Sequence, residues 1–147
     1  MYKVMIVDDS NIIRNSIERN VDEGKYEIVA KACDGYDAVA KFKELRPQIV
    51  TMDLTMPGKE GLEAIQEIYD MDNSVSILVV SALSDKLTGL MALEYGAQGF
   101  IYKPFTEEEL NSALEKIVKQ RESMAQEEAA RAAEASKPKA KSRFKWF

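Results

Sequence analysis

Three carboxylates and one lysine stand directly after short apolar runs of the sequence. Asp8 and Asp9 follow the run 4–7, Asp53 follows the run 49–52, and Lys103 follows the run 100–102. Short apolar runs rich in β-branched residues predict buried strands. In open α/β sheets, ligands bind just outside the carboxyl ends of the strands. We therefore expect these four side chains to meet at one edge of a sheet.

The chemistry of this set is that of phosphoryl transfer. Converging carboxylates repel one another unless a hard cation such as Mg²⁺ lies between them, and Mg²⁺ prefers carboxylate, water and phosphate oxygens. Lys103 supplies a charge that pairs with a carboxylate or a phosphoryl group, and Ser81, after the apolar run 75–80, adds a hydroxyl. A carboxylate nucleophile, a metal and a lysine predict that an aspartate accepts a phosphoryl group. Solvated loop acids are the usual explanation for one such residue, but a poor one for the whole set.

Strand and helix patterns alternate along the chain and would position these residues. Period-2 or continuous apolar patterns predict strands over 3–7, 27–33, 49–52, 75–80 and 99–102, and apolar spacing of three and four predicts helices over 11–20, 36–45, 61–71 and 84–95. Alternating strands and helices predict an α/β fold with a doubly wound, five-stranded parallel sheet. The flavodoxin-like strand order 2-1-3-4-5 would place the first and third strands, and hence Asp8, Asp9 and Asp53, side by side. That order is an inference from the fold type, because periodicity alone does not give it.

The last predicted helix is longer than the sheet requires. The sequence Thr106-Glu107-Glu108-Glu109 has the pattern of a capping box. Leu110, Leu114 and Ile117 can cover the sheet, but beyond Met124 the apolar stripe fades into an alanine-rich run. We expect a helix to about Ser136 and divide the chain into a domain over 1–122 and an extension over 123–147.

Composition favours a single soluble domain. The 147 residues are 46% hydrophobic and 31% charged, as in ordinary globular proteins. No apolar run approaches the roughly 20 residues of a membrane helix, and Asp8 and Asp9 interrupt what would otherwise be a signal peptide. Cys33 is the only cysteine, so it cannot form an internal disulfide. We expect it to fill the core at a strand end and expect the protein to be cytoplasmic.

Histidine is absent from the chain. A Ser-His-Asp triad, a histidine zinc site and a phosphohistidine on this chain are thereby excluded, so any histidine chemistry must come from a partner. Residues 137–147 carry +5 and residues 1–136 carry −10. An acidic body argues against nucleic-acid binding.

Four segments carry a resemblance to a known family. Val7-Asp8-Asp9-Ser10, Met52-Asp53-Leu54-Thr55-Met56-Pro57-Gly58, Val80-Ser81-Ala82 and Tyr102-Lys103-Pro104-Phe105 occur in this order. Over about residues 1–122 the chain resembles the receiver domain of two-component response regulators. Its small size and lack of an output-domain pattern are most similar to the chemotaxis members, the CheY type.

The resemblance implies a role for each site residue. Asp53 would be the phosphoacceptor and, with Asp9, a direct ligand of Mg²⁺. Asp8 would act on the metal through water, and the backbone carbonyl of Thr55 would be a further ligand. Lys103 would bind the phosphoryl group and Asp53, with a cis peptide bond between it and Pro104.

Three further positions have implied roles in switching or in the lifetime of the phosphorylated form. Ser81 would move toward the phosphoryl group on activation, and Phe100 would rotate inward with it. The two residues would thus form a two-state element whose balance the charge of the phosphoryl group shifts. Many chemotaxis members have tyrosine at the position of Phe100, so this chain lacks that hydroxyl. Thr55 and Leu83 would tune dephosphorylation, and apolar Leu83 would shield the acyl phosphate from water.

The resemblance also implies partners. The phosphodonor would be a CheA-like sensor histidine kinase, the target a flagellar motor switch protein, and the phosphatase one of the CheX, CheC or CheZ type. Self-association would use the fourth helix, fifth strand and fifth helix. The protein would catalyse its own phosphorylation and dephosphorylation without being an enzyme in the ordinary sense.

Other functions stay open at this point. The chain could pass phosphate to a histidine phosphotransfer protein in a phosphorelay, or act as a receiver-fold binding module that is never phosphorylated. An aspartate-based phosphohydrolase is disfavoured, because such enzymes use a second aspartate two residues after the nucleophile, where this chain has Thr55.

The segment 137–147 has two interpretations. It could be a solvated linker with aromatic residues near its end. Alternatively, Phe144, Trp146 and Phe147 among basic residues could make it a docking peptide, since aromatic residues dominate binding hot spots. Its target could be a partner protein or the acidic domain itself.

Overall fold

A computed structural model describes residues 1–54, 56, 61–82 and 86–136. Strands and helices alternate strictly along these residues. The elements are β1 (Tyr2–Val7), α1 (Asn11–Asn20), β2 (Tyr26–Ala32), α2 (Gly35–Leu45), β3 (Ile49–Met52), α3 (Gly61–Met71), β4 (Ser76–Ala82), α4 (Lys86–Glu94), β5 (Gly99–Lys103) and α5 (Glu107–Ala135). The predicted α/β class and element sequence are confirmed.

The five strands form one parallel sheet in the order β2-β1-β3-β4-β5. This is the predicted order 2-1-3-4-5. The register pairs Val7 with Met52, and the following amide N–H of Asp53 donates to the carbonyl of Val7 over 2.9 Å. The ends of β1 and β3 are therefore level, which places the residues that follow them side by side.

Helices cover the sheet on both faces, so the central strands are buried on both sides. One core lies around Met5, Phe42, Val50 and Ile65, under α2 and α3. The other contains Ile6, Ile17, Leu78 and Leu114 and lies under α1 and α5. The two cores hold the strand ends in fixed positions, and the site depends on this rigidity.

Helix α5 begins at the predicted capping box. The Thr106 side chain accepts from the amide of Glu109, and the Glu109 carboxylate accepts from the amide of Thr106. Leu110, Leu114 and Ile117 face the sheet. From residue 122 to residue 136 every residue is exposed, so this part of the helix contributes no buried side chain to the core.

One prediction about the core is wrong. Cys33 is exposed, because β2 ends one residue earlier with buried Ala32 and strand alternation turns the next side chain outward. Its sulfur lies 4.0 Å from the carboxylates of Asp34 and Asp37.

Several apolar helix residues also face outward. They include Ile12 on α1, Leu45 on α2, and Leu87, Leu90, Met91 and Leu93 on α4. Among the residues of α4 whose burial is described, Gly89 and Ala92 are the buried ones. No described helix combines the length and apolar character needed to span a membrane.

Candidate functional site

The turn after β1 fixes Asp8 in place. Its carboxylate oxygen Oδ1 accepts from the amide of Ser10 over 2.9 Å, and the Ser10 hydroxyl caps α1 by accepting from the amide of Ile13. The Arg14 guanidinium donates to the Asp8 carbonyl. Because helix and strand share this turn, the Asp8 carboxylate is held at the sheet edge with only 1% of its residue surface exposed.

Gly61, the first residue of α3, lies close to the backbone of Asp53. A Cβ atom added to Gly61 would lie 2.3 Å from the carbonyl oxygen of Asp53, so only glycine fits there. The amide of Gly61 also donates to the Leu54 carbonyl over 3.1 Å. The first residue of α3 therefore packs directly on the backbone of Asp53.

Asp8, Asp9 and Asp53 meet as predicted. Each offers a carboxylate oxygen, and the three oxygens lie within 4.8 Å of one another. Asp8 and Asp53 are buried, whereas Asp9 is exposed. Lys103 reaches across from β5, and its Nζ lies 2.7 Å from Asp8 Oδ2 and 3.5 Å from Asp53 Oδ1.

Two opposing influences act on the pKa of Lys103. Partial burial is the largest of them and lowers the pKa, because the charged ammonium loses water. The hydrogen bonds and charges of Asp8 and Asp53 act the other way and together prevail, so the pKa is raised above its ordinary value. Lys103 is therefore firmly cationic at neutral pH.

The donor set suits a hard divalent cation. Three carboxylate oxygens converge, two from the turn after β1 and one from the residue after β3, and one of the three residues is exposed to solvent. Mg²⁺ typically keeps several waters and takes only a few protein carboxylates. Asp8, Asp9 and Asp53 would thus hold Mg²⁺, which would neutralise charge on a bound phosphoryl group. Thr55, the fourth predicted ligand, lies outside the described residues.

The two predicted switch residues lie on the neighbouring strands β4 and β5, Ser81 near the carboxyl end of β4 and Phe100 near the start of β5. Ser81 is fully buried near the carboxyl end of β4, where it pairs in register with Tyr102. Phe100 is half-buried on β5, and its ring makes an edge contact with Tyr102 at 4.7 Å between centroids. Leu83, predicted to tune dephosphorylation, lies outside the described residues.

Gly89 of α4 makes room for the ring of Phe100. A Cβ atom on Gly89 would lie 1.8 Å from Cε2 of Phe100, so a side chain at position 89 and the ring in its present place exclude each other. Sequence reasoning did not single out Gly89, Gly61 or Arg14. A glycine inside a helical pattern was an available signal for Gly89, because it indicates a packing or functional reason.

Comparisons with known proteins agree with this geometry. Residues 4–115 match the family model of the response regulator receiver domain. The chain is 40% identical over 119 residues to the chemotaxis protein CheY of Listeria monocytogenes, covering 81% of this chain and all of that protein. CheY of Thermotoga maritima is also 40% identical, over 117 residues, covering 80% of this chain and 98% of the relative.

Solved structures share the fold as well. A two-component response regulator of the LuxR family from Aurantimonas superposes with a TM-score of 0.75 at 34% identity, covering 90% of this chain and 99% of that one. The chain belongs to the response regulator receiver family. Among the relatives described here, the two with the highest sequence identity carry the name of a chemotaxis protein.

Proposed function

We propose that this chain is a single-domain response regulator, in which the phosphohistidine of a sensor kinase transfers its phosphoryl group to Asp53. The observation that carries this proposal is the convergence of Asp8, Asp9 and Asp53 with Lys103 at the end of the parallel sheet. The site combines a carboxylate nucleophile, a donor set for Mg²⁺ and a fixed cation.

In the proposed transfer, an Asp53 carboxylate oxygen attacks phosphorus. The new bond joins Asp53 to phosphorus, the phosphorus–nitrogen bond to the kinase histidine breaks, and that nitrogen keeps the bonding electrons. Lys103 lies 3.5 Å from Asp53, where its charge can pair with the phosphoryl oxygens. Asp8 orients Lys103 through the 2.7 Å ion pair.

The consequence of phosphorylation would be a change in the face formed by α4, β5 and α5. Ser81 would move toward the phosphoryl group and Phe100 would follow. The exposed side chains of Leu87, Leu90 and Met91 support binding of a partner on this face, which includes self-association. By analogy with the chemotaxis relatives, the partner would be a flagellar motor switch protein in the cytoplasm. We keep the division into a receiver over 1–122 and an extension over 123–147.

The test uses a small phosphodonor. The protein is incubated with Mg²⁺ and acetyl phosphate or with beryllofluoride, and intact masses and Phe100 ring resonances are recorded beside Asp53→Asn. We expect one phosphate on the wild type, its loss when EDTA is present, and none on Asp53→Asn. Asp70→Asn, an exposed acid on α3, is the matched control and should be phosphorylated normally.

Two results would contradict the proposal. One is an adduct that persists in Asp53→Asn, which would place the acceptor elsewhere. The other is a wild type that gains neither phosphate nor beryllofluoride although Mg²⁺ binds. That result would favour a receiver fold used for binding alone.

A further inference from the structure

A groove lies between β5 and α5, on the domain surface away from the carboxylate cluster. Its volume is about 480 Å³, and its floor contains Phe100, Ile101, Ala113 and Ile117. Gln120 lines its lower end, nearest to the extension of α5. The groove thus has an apolar floor and a polar rim that includes Glu108, Glu109 and Lys116, and its size suits aromatic side chains.

The exposed extension of α5 continues the side of the helix that lines this groove. Successive helical residues advance by about 100°, so Glu127 and Glu134 fall on the same stripe as Lys116 and Gln120. The extension over 122–136 carries four glutamates and only one arginine, hence a charge of −3. The extension is therefore acidic as a whole, and Glu127 and Glu134 place two of its glutamates on the side of the helix that leads to the groove, where Lys116 and Arg131 also lie.

The segment 137–147 has the complementary chemistry. It carries five basic residues and no acidic one. Its three aromatic residues, Phe144, Trp146 and Phe147, lie near its end. Its basic residues are opposite in charge to the acidic extension, and its aromatic residues suit the apolar floor of the groove. The order also agrees, because the basic residues nearest the helix would meet the glutamates before the aromatic residues reach the groove.

Length allows this arrangement within one molecule. Eleven residues span at most about 36–40 Å when extended. Measured back along α5 from Ser136, Gln120 is about 24 Å away and Ala113 about 35 Å away. Trp146 lies ten residues beyond Ser136 and can reach at most about 33–36 Å, so it can come level with Ile117, about 29 Å away along the helix.

We infer that residues 137–147 fold back along α5, with their basic side chains on Glu127 and Glu134 and with Phe144 and Trp146 in the groove. Glu127 already pairs with Arg131 at 3.7 Å, but both side chains are mostly exposed. Exposed pairs of this kind contribute little to stability, so the glutamate can exchange its partner. The segment 137–147 would then cover the surface beside Phe100 within the same molecule.

Trp146 is the only tryptophan, so its fluorescence reports on this segment alone. We compare acrylamide quenching of the full chain with that of a synthetic peptide of residues 137–147. Docking predicts a blue-shifted emission and a quenching constant roughly twofold lower or more in the full chain, because the indole is buried against apolar side chains. Quenching equal to that of the free peptide would overturn the inference.

A matched pair of double variants tests the role of Glu127 and Glu134. Glu127→Lys with Glu134→Lys should restore peptide-like quenching, whereas Glu122→Lys with Glu128→Lys, which lie off the stripe, should leave Trp146 protected. Circular dichroism checks that α5 stays helical in both. Equal effects of the two double variants would show that net charge, and not this path, governs the segment, and would overturn the inference.

Dilution separates one molecule from two. Emission that stays constant over a hundredfold dilution supports folding back within the chain, and emission that shifts with concentration would assign the groove to a second copy and overturn the inference. Asp53→Asn should leave the quenching unchanged. The result is therefore independent of whether Asp53 accepts phosphate.

Discussion

Each edge of the sheet holds a cation that bridges several strands or their connections, but the partners of the two cations differ. At the carboxyl edge, Lys103 faces the carboxylates of Asp8 and Asp53. At the amino edge, Arg121 of α5 donates to the carbonyls of Gln48 and Ser74, over 3.1 and 2.6 Å, and to the hydroxyl of Ser76 over 3.3 Å.

The difference shows what each edge is built for. The carbonyl and hydroxyl groups that accept from Arg121 are neutral, so the hydrogen bonds by which it joins α5 to β4 and to the segments before β3 and β4 do not depend on a change of charge in their acceptors. The carboxylates near Lys103 are side chains whose charge a metal or a phosphoryl group can change. Arg121 at the amino edge is therefore a structural clamp, which holds α5 against the segments before β3 and β4. The carboxyl edge is a site whose electrostatic balance depends on the metal or phosphoryl group that is bound.

The largest expected effect comes from removing the cation at the carboxyl edge. Without Mg²⁺ at neutral pH, Lys103→Met should lower the free energy of unfolding by about 3 kcal/mol, because it leaves buried carboxylates without their partner. Added Mg²⁺ should recover part of this loss. Urea unfolding with and without Mg²⁺ measures both, with exposed Lys43→Met on α2 as the control. If Mg²⁺ recovered none of the lost free energy of unfolding, the carboxylates would not be balanced by a bound cation, and this prediction would be wrong.

The next effect concerns the amino edge at high pH. Burial, with smaller contributions from Glu115, Asp22 and Tyr2, raises the pKa of Tyr26 at the start of β2 from 10.0 to about 12. The unfolded chain releases the phenolic proton at lower pH than the folded protein does. The resulting stability is complete below pH 10.0 and is lost as the pH rises toward about 12.

As the pH rises through this range, Tyr26→Phe should therefore lose about 2–3 kcal/mol less of its free energy of unfolding than the wild type does. Urea unfolding across the alkaline range measures the difference, with exposed Tyr36→Phe as the control. The pKa of Lys103 is also raised, so its contribution is likewise lost at alkaline pH, but equally in both proteins. A Tyr26→Phe curve parallel to the wild type would show that the phenol does not titrate as described.

Removing the clamp should have a smaller effect. Arg121→Met leaves two carbonyls and a hydroxyl without their donor, and we expect a loss of about 1–2 kcal/mol. The loss should be the same with and without Mg²⁺, which contrasts with Lys103→Met. Exposed Lys119→Met on the same helix is the control in urea unfolding. A Mg²⁺-dependent loss would mean that the two edges are coupled.

The smallest effect lies beside Arg121. Hydrogen bonds from the hydroxyl and amide of Ser74 lower the pKa of Asp72, and the charges of Arg46 and Arg121 add to this. A lowered pKa gives stability that is present above the ordinary value and lost as the pH falls through the folded value. Ser74→Ala should cost about 0.5 kcal/mol near neutral pH and less in acid. Acid titration of stability beside Asn73→Ala measures it, and a loss that grows in acid would contradict the assignment.

The sequence was informative where local rules decide the structure. Strand ends, the capping box of α5 and the meeting of Asp8, Asp9, Asp53 and Lys103 follow from apolar runs and from the behaviour of parallel sheets. The prediction for Cys33 failed because the last residue of β2 decides which way its side chain turns, and strand boundaries are the least certain part of a pattern.

Helical periodicity was also insufficient on its own. It identifies residues that share a face, but whether another element covers that face depends on the packing of the whole chain. Leu87, Leu90 and Met91 on α4 are spaced as core residues and yet are exposed. The roles of Arg14 and Gly61 depend on contacts with backbone atoms of the site, which no residue pattern displays.

The contact between Gly89 and Phe100 has a consequence for the divergence of related sequences. A glycine in a helix interior costs roughly 1 kcal/mol relative to alanine, so drift toward alanine at position 89 would be favoured if the ring of Phe100 were elsewhere. The two positions should therefore change together. Lineages that acquire a side chain at position 89 should carry a smaller residue at position 100 or hold an aromatic ring there in another rotamer.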